Sequence, residues 1–265
     1  MHIPKGFDIE GHDTKDFVLQ IYRNIYGQKK AGRVWNKYLV DKLINKLGFR
    51  QSKVDECVFY RGTTVYLLYT DDSILAGPDQ SEIDTIIREL KDADLNITEE
   101  GDLQDFLGVN IEQQDDGSVL LTQPHLIDSI LQDLQMDAST KTKSTPASSS
   151  QILFRHTDSD SFNRSFDYRS VIGKLNYLER ASRPDISYNT SVCKILRGPS
   201  ADPKVEHGKT VRWLARYLAG TRDKGLLLRP EGIKDLEIFV DADFAGNWDQ
   251  TDAANDRGTA RSRHG

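Results

Sequence analysis

The pair Asp71-Asp72 stands inside residues 65–77, Val-Tyr-Leu-Leu-Tyr-Thr-Asp-Asp-Ser-Ile-Leu-Ala-Gly. Carboxylates set side by side repel, and a cation between them relieves the repulsion. A hard ion such as Mg²⁺ takes one or two carboxylates and completes its shell with water or substrate phosphates. An Asp-Asp step is equally at home in a solvated turn, and the residues alone leave both readings standing. The apolar runs 65–69 and 73–76, closed by Gly77-Pro78, predict two strands of a hairpin with the acids at or near its turn. Strand alternation then sends the two acids to opposite faces, with Asp71 squarely on a site and Asp72 assisting from its edge.

Two further groups of residues could do chemistry. Gly27 precedes a segment in which Lys29, Lys30, Arg33 and Lys37 recur. A glycine before a basic helix lets a backbone or a phosphate come close, although an ordinary helix with a solvated basic side reads the same way. Near the end of the chain Val240-Asp241-Ala242-Asp243 places a carboxylate after an apolar run, where Asp241 could ligate Mg²⁺ or lie in a loop. His207 has no acid or nucleophile placed beside it by the sequence and reads as a structural histidine.

The elements that must carry these residues follow from periodicity. Residues 17–21 predict a strand. Ala31, Val34, Trp35, Tyr38, Leu39, Leu43 and Leu47 have helical spacing, with Lys30, Arg33 and Lys37 as a stripe on another face and Gly48 as the stop. Residues 57–61 predict a strand feeding the hairpin. Residues 81–90 predict a helix capped by Ser81. Strands around 106–113 and 118–122 meet at Asp115-Asp116-Gly117, a hairpin turn signal. Residues 124–134 are an amphipathic helix, and residues 137–166, rich in Ser, Thr and Asp, read as a linker or surface crossing. Helices follow over 167–220, broken at Arg183-Pro184-Asp185, and residues 225–228 and 236–240 predict paired strands. Strands and helices segregated in this order predict an α+β layer with an antiparallel sheet.

Composition narrows the partners. The chain has 265 residues, 37% apolar and 29% charged, enough for one large or two modest domains. No apolar run approaches the ~20 residues of a membrane span, and the N-terminus has no apolar signal core. Cys57 and Cys193 form no metal-spacing motif, so a reducing, intracellular setting is expected. The net charge is −6, yet it is blocked. Residues 17–53 hold nine basic side chains and one acid, and residues 164–229 hold fourteen and six. Residues 79–116 hold two basic and thirteen acidic side chains, and residues 231–256 hold one and eight. Basic blocks on either side of a candidate metal site can grip phosphates while the acidic blocks face solvent or hold metals.

Tyr69-Thr70-Asp71-Asp72 resembles the Tyr-x-Asp-Asp box of reverse transcriptases, and its flanks resemble the version carried by copia-type retrotransposon polyproteins. Other segments resemble that family in the same order along the chain. Met1-His2-Ile3-Pro4-Lys5-Gly6-Phe7 is similar to its Met-x-x-Pro-x-Gly-Phe segment. Residues 25–35 are similar to its Leu-Tyr-Gly-Leu-Lys-Gln-x-x-Arg-x-Trp motif, matching at Tyr26, Gly27, Lys29, Arg33 and Trp35, with Gln28 where Leu is usual and Lys30 where Gln is usual. Phe106-Leu107-Gly108 is similar to its primer-gripping segment, and residues 168–178, Arg183-Pro184-Asp185-Ile186, His207 and 217–221 to the region after the palm.

The resemblance implies a right-hand polymerase palm over residues 1–136, lacking fingers and the first catalytic block. It implies a linker over 137–166, a helical thumb over 167–224 and the beginning of a ribonuclease H-like domain over 225–265. It implies RNA-directed DNA polymerase activity by two-metal transfer, with Mg²⁺, or Mn²⁺ in its place. Asp71 and Asp72 are the implied catalytic metal ligands and Asp241 the implied ligand of the nuclease domain. Tyr26, Gly27, Lys29, Arg33 and Tyr69 line the nucleotide and template site, and Phe106, Leu107 and Gly108 hold the primer. The implied partners are an RNA template, a DNA primer and dNTPs, with no membrane. The implied location is a cytoplasmic retrotransposon particle, with the nucleus as the alternative. Because the family's first metal-binding aspartate precedes the segment like Met1–Phe7, the chain alone is expected to bind primer–template without extending it. Two alternatives stay open: a non-catalytic remnant that binds nucleic acid or protein, and a metal-dependent sugar-nucleotide transferase, which lacks a nucleotide-binding glycine motif here.

Overall fold

Helix α1, Ala31–Asp41, runs on into a π-helical turn, Lys42–Lys46, and stops at Gly48, whose φ of +71° favours a residue without Cβ. This computed structural model describes residues 17–22, 24–25, 27–148, 160–194 and 203–229, with positions 242–243, 248 and 263–264. Compactness divides the chain into Met1–Gly101 and Asp102–Gly265.

The first unit is built on an antiparallel sheet in the order β1 (Arg50–Gln51), β2 (Val58–Arg61), β3 (Thr64–Tyr69) and β4 (Asp72–Ala76). Along β3 burial alternates, with Thr64, Tyr66 and Leu68 inward. Those side chains meet Phe59 from β2, Leu39, Leu43 and Leu47 from α1 and its extension, and Ile86 and Leu90 from α2 (Gln80–Asp92). Each fully buried Leu, Ile or Phe contributes about 1.5–3 kcal/mol. Helices therefore cover one face of the sheet. The other face carries Val65, Leu67 and Tyr69 opposite Ala76, Ile74 and Asp72, all of them half-buried or exposed. Helix α2 is tied to the sheet by the Arg61–Glu89 ion pair and by Thr64 Oγ1 donating 2.8 Å to Glu82, while Arg61 Nη1 also donates 3.0 Å to the Leu47 carbonyl at the end of the α1 extension. The hydrogen bond from Arg61 holds the Glu89 carboxyl below its ordinary range.

The second unit has its own antiparallel sheet, ordered β5 (Asp105–Phe106), β6 (Val109–Gln113), β7 (Val119–Thr122) and β8 (Leu226–Leu228). Its core gathers Ile127, Ile130 and Leu134 from α3 (Pro124–Asp133), Val171, Ile172, Leu175 and Leu178 from α4 (Tyr168–Ala181), and Val211, Leu214 and Leu218 from α6 (Val205–Gly220). Between α4 and α6 lie a 3₁₀ turn, Pro184–Ile186, and α5 (Ser187–Lys194). Two short strands, β9 (Ala242–Asp243) and β10 (Arg263–His264), pair with one another.

Mixed helices and antiparallel sheets make this an α+β chain, as the element order predicts. Three local expectations change. Residues 17–21 hold only a bridging position at Val18 in place of a strand. The cap of α2 is Asp79, whose carboxylate accepts from the Ser81 N–H at 2.9 Å and from the Ser81 hydroxyl at 2.7 Å. An ionised acceptor caps orphan N–H groups more strongly than a hydroxyl and shifts the helix start upstream. The stretch 106–113 is two strands joined at Leu107-Gly108. Strand β8 pairs with β7, and its expected partner at 236–240 lies outside the described residues.

Candidate active site

Thr70 and Asp71 form the two-residue turn between β3 and β4, closed by the pair Tyr69↔Asp72. Strand alternation stops at Tyr69, so it does not govern Asp71. The expected opposite-face arrangement is replaced by a turn carboxylate followed by a strand carboxylate on the face away from α1 and α2. Both acids are exposed. Neither has a hydrogen-bond or ion-pair partner among the described residues. Thr70 sits at φ 58°, a conformation that costs a residue with Cβ about 1–2 kcal/mol and a β-branched residue more trouble still. What holds it there comes from 35 residues upstream: Trp35 Nε1 of α1 donates to the Thr70 carbonyl at 2.9 Å. The Trp35 ring lies 6.2 Å from that of Tyr38.

Helix α1 also carries the basic stripe. Lys29, Lys30, Arg33 and Lys37 are exposed, and none forms an ion pair among the described residues. Gly27, at φ +87°, has open space where a Cβ would stand. Tyr69, 56% exposed, lies beside Asp72 in register. Tyr26 lies outside the described residues, as does Asp241.

A second tip stands in the other unit. Phe106 pairs with Val109 across Leu107-Gly108, and both tip residues have positive φ, 54° and 76°. That is the signature of the type I′ turn, in which Gly is favoured, so Gly108 answers a backbone demand of its own and no bulge is present. Space above Gly108 is open. The tip is held by Tyr177 of α4, whose hydroxyl donates 2.6 Å to the Leu107 carbonyl. A tyrosine 70 residues away was not visible in the sequence as a partner of this turn.

The remaining candidates are structural. His207 is 1% exposed, and its Nδ1 accepts from the Lys204 N–H at 2.8 Å at the start of α6. Arg212 donates to the Leu134 carbonyl at 2.9 Å and lies over the Phe166 ring, while Arg216 on α6 is exposed. Residues 137–148 lie along α6: the Lys143 N–H donates to the Arg216 carbonyl, Trp213 Nε1 donates to the Thr145 carbonyl at 3.0 Å, and Lys143 Nζ sits 3.9 Å from the Trp213 ring. Arg183, 1% exposed, forks onto Asp185 at 2.8 and 2.9 Å and onto the Thr221 carbonyl and hydroxyl at 2.8 Å, and the Tyr217 hydroxyl donates 2.7 Å to Asp185. Burial works to raise the Asp185 carboxyl, but the bonds from Arg183 and Tyr217 outweigh it and hold it below the ordinary range. The motif Arg-Pro-Asp thus locks the corner after α4 to the end of α6.

Two adjacent carboxylates with uncommitted oxygens, backed by no competing cation, fit a hard divalent ion that draws its other ligands from water or phosphate. No group of three or more metal-capable side chains occurs among the described residues. No described helix is long and apolar enough to cross a membrane.

Residues 1–149 match the family model described as reverse transcriptase (RNA-dependent DNA polymerase). A protein named for transposon Ty5-1 in Saccharomyces cerevisiae is 29% identical over 244 residues, 90% of this chain and 76% of that protein. The Pol polyprotein of transposon RE2 from Arabidopsis thaliana is 30% identical over 260 residues, 96% of this chain and 17% of the polyprotein. That of transposon TNT 1-94 from Nicotiana tabacum is 28% identical over 263 residues, 94% of this chain and 19% of the polyprotein. The chain therefore spans less than a fifth of the plant polyproteins it matches. No solved structure matches it. With more than half of its residues inside that family model, the chain belongs to the reverse transcriptase family, in the form found in copia-type retrotransposon Pol polyproteins.

Proposed function

We propose that the chain is the polymerase part of a copia-type retrotransposon protein and serves RNA-directed DNA synthesis, adding nucleotides to a primer 3′-hydroxyl. The observation that carries this reading is the tethered turn presenting two unpartnered carboxylates, Asp71 and Asp72, beside a helix with a free basic stripe. In this reading residues 1–136 are the palm, 137–166 the crossing, 167–224 the thumb and 225–265 the start of a ribonuclease H-like domain. Asp71 holds a divalent ion, Mg²⁺ or Mn²⁺, and Asp72 assists from the strand. The bound ions would lower the pKa of the primer hydroxyl and neutralise the triphosphate of the dNTP. Lys29 and Arg33 hold phosphates of nucleotide and template, Gly27 and Tyr26 let them approach, and Tyr69 packs against the nucleotide from the open face. Phe106, Leu107 and Gly108 hold the primer backbone. Contacts of this kind position the RNA–DNA hybrid without reading its sequence. The location that goes with this function is the retrotransposon particle in the cytoplasm, or the nucleus.

The test is a band shift and a primer-extension gel with the chain, a labelled RNA–DNA primer–template, dNTPs and Mg²⁺ or Mn²⁺. A two-metal site needs a carboxylate beyond Asp71 and Asp72, and none joins them among the described residues. The expected result is a salt-sensitive shift without extension. The pair Arg33→Ala and Lys37→Ala should lower the slope of log affinity against log salt by about two. Extension lost on Asp71→Ala would assign that residue and show that the chain supplies the third carboxylate itself. No shift of the hybrid would overturn the reading in favour of a remnant that no longer binds its substrate.

A further inference from the structure

Trp35 does something the polymerase reading leaves unexplained. Its indole N–H reaches across from α1 to the carbonyl of Thr70, the left-handed residue at φ 58° next to Asp71. A carbonyl held by a donor from another element fixes the peptide plane that orients the following residue, so the direction in which Asp71 leaves the turn depends on α1. The same helix bears Arg33 and Lys37, with Lys30 at its N-cap. At 100° per residue, Trp35 lies roughly 160° to 200° around the helix from Arg33 and Lys37. One side of a rigid helix therefore faces the turn while the other offers unpaired cations to solvent.

We propose that Trp35 is a positioning residue for the Asp71-Asp72 turn, and that α1 couples phosphate contact on its basic stripe to the seating of the carboxylates for a divalent ion. This rests on the polymerase reading, because it takes Asp71 and Asp72 as the metal ligands. When a phosphate backbone draws on Lys30, Arg33 and Lys37, the helix settles, the Trp35–Thr70 bond is held in one geometry, and the two carboxylates bind the ion more tightly. The linkage is reciprocal: the ion strengthens duplex binding by the same factor.

The experiment is a Mn²⁺ titration of the full chain with and without an RNA–DNA duplex, followed by binding calorimetry and by the indole N–H resonance of Trp35, assigned by its loss in Trp35→Phe. The phenyl ring keeps the packing beside Tyr38 and removes only the donor. In the wild type, low Mn²⁺ should broaden the Trp35 resonance before that of exposed Trp248, and duplex should tighten Mn²⁺ binding. Trp35→Phe should weaken Mn²⁺ binding about three- to tenfold, the worth of one net hydrogen bond. It should also abolish the tightening by duplex while leaving duplex affinity without metal unchanged. If Trp35→Phe keeps both Mn²⁺ affinity and duplex linkage while Asp71→Ala loses Mn²⁺ binding, the tether is overturned and the metal site stands. If Asp71→Ala leaves Mn²⁺ binding intact, the site itself is refuted. Should the Phe variant fail to fold, the wild type alone decides. A Trp35 indole N–H that exchanges with deuterium as fast as that of Trp248, and does not move when duplex is added, overturns the proposal.

Discussion

The turn Thr70-Asp71 in the first unit and the turn Leu107-Gly108 in the second are anchored the same way and presented differently. Each joins antiparallel strands through two residues, and each puts a residue with a Cβ at positive φ, Thr70 at 58° and Leu107 at 54°. Each has that residue's carbonyl captured by an aromatic donor from a helix, Trp35 in α1 and Tyr177 in α4. One tip then offers carboxylates and the other a leucine and a bare glycine backbone. The lesson is that fixing a hairpin tip and choosing its chemistry are separate tasks. Strain at a functional turn persists only when its surroundings over-determine it, and here one long-range hydrogen bond to each tip is a visible part of that.

Four changes would break or sharpen this comparison. The largest effect should come from Asp185→Ala, which leaves the buried Arg183 without its carboxylate. Loss of such a partner costs about 3–5 kcal/mol, with the lower figure apt because Asp185 is partly solvated. Since the lock closes the corner at the end of α4, native-state hydrogen exchange should show protection lost around Val109 and kept around Tyr69. Equal loss at both tips would contradict the idea of separately anchored turns. The same pair sets a pH dependence. The folded Asp185 carboxyl lies below its ordinary value, so its contribution is fully present above the unfolded pKa of about 4 and fades as pH falls through the folded value. Acid melts should therefore be steeper for the wild type than for Asp185→Asn.

Next in size, the double change Asp71→Ala and Asp72→Ala should weaken Mn²⁺ binding at least about tenfold, as expected when a hard ion loses two carboxylate ligands. The melting temperature should stay put, since both side chains are exposed. Metal binding that survives would make the two tips chemically equivalent. Tyr177→Phe should then cost about 1 kcal/mol by chemical denaturation, the net value of one hydrogen bond, and weaken duplex binding if the Leu107-Gly108 tip meets the primer. Smallest of all, Thr70→Gly removes strain of about 1–2 kcal/mol and adds about 0.5–1 kcal/mol of backbone entropy cost. A slight gain in stability is the expected result, with weaker metal binding as the turn loosens. A clear loss would mean that Thr70 is not strained there.

Much of the scaffold was legible beforehand. Short apolar runs closed by Gly77-Pro78 marked β3 and β4, and helical spacing marked α1 to α4 and α6, because a face that must leave water imposes its period on a helix. The Asp-Asp turn, the basic stripe of α1 and the structural reading of His207 were all visible from residue types. Less visible were local choices decided by competition. Asp79 captured the cap expected of Ser81, and the strand expected over 106–113 folded back at Leu107-Gly108. Arg183, read as part of a chain break and a family-like motif, and Arg212, one of a basic block, proved to be internal donors, because a guanidinium can satisfy several carbonyls and a carboxylate at once.

By itself the sequence determined most of the strands and helices, the turns at Asp71 and at Asp115-Asp116-Gly117, which residues carry charge and to which family it belongs, since each of these is written in local pattern or motif. Tertiary structure alone decided which core α3 joins, which strand β8 pairs with, and that Trp35 and Tyr177 close on carbonyls 35 and 70 residues away. Those contacts depend on how elements pack in space, and no periodicity along the chain encodes the distance between an indole nitrogen and a turn it does not adjoin.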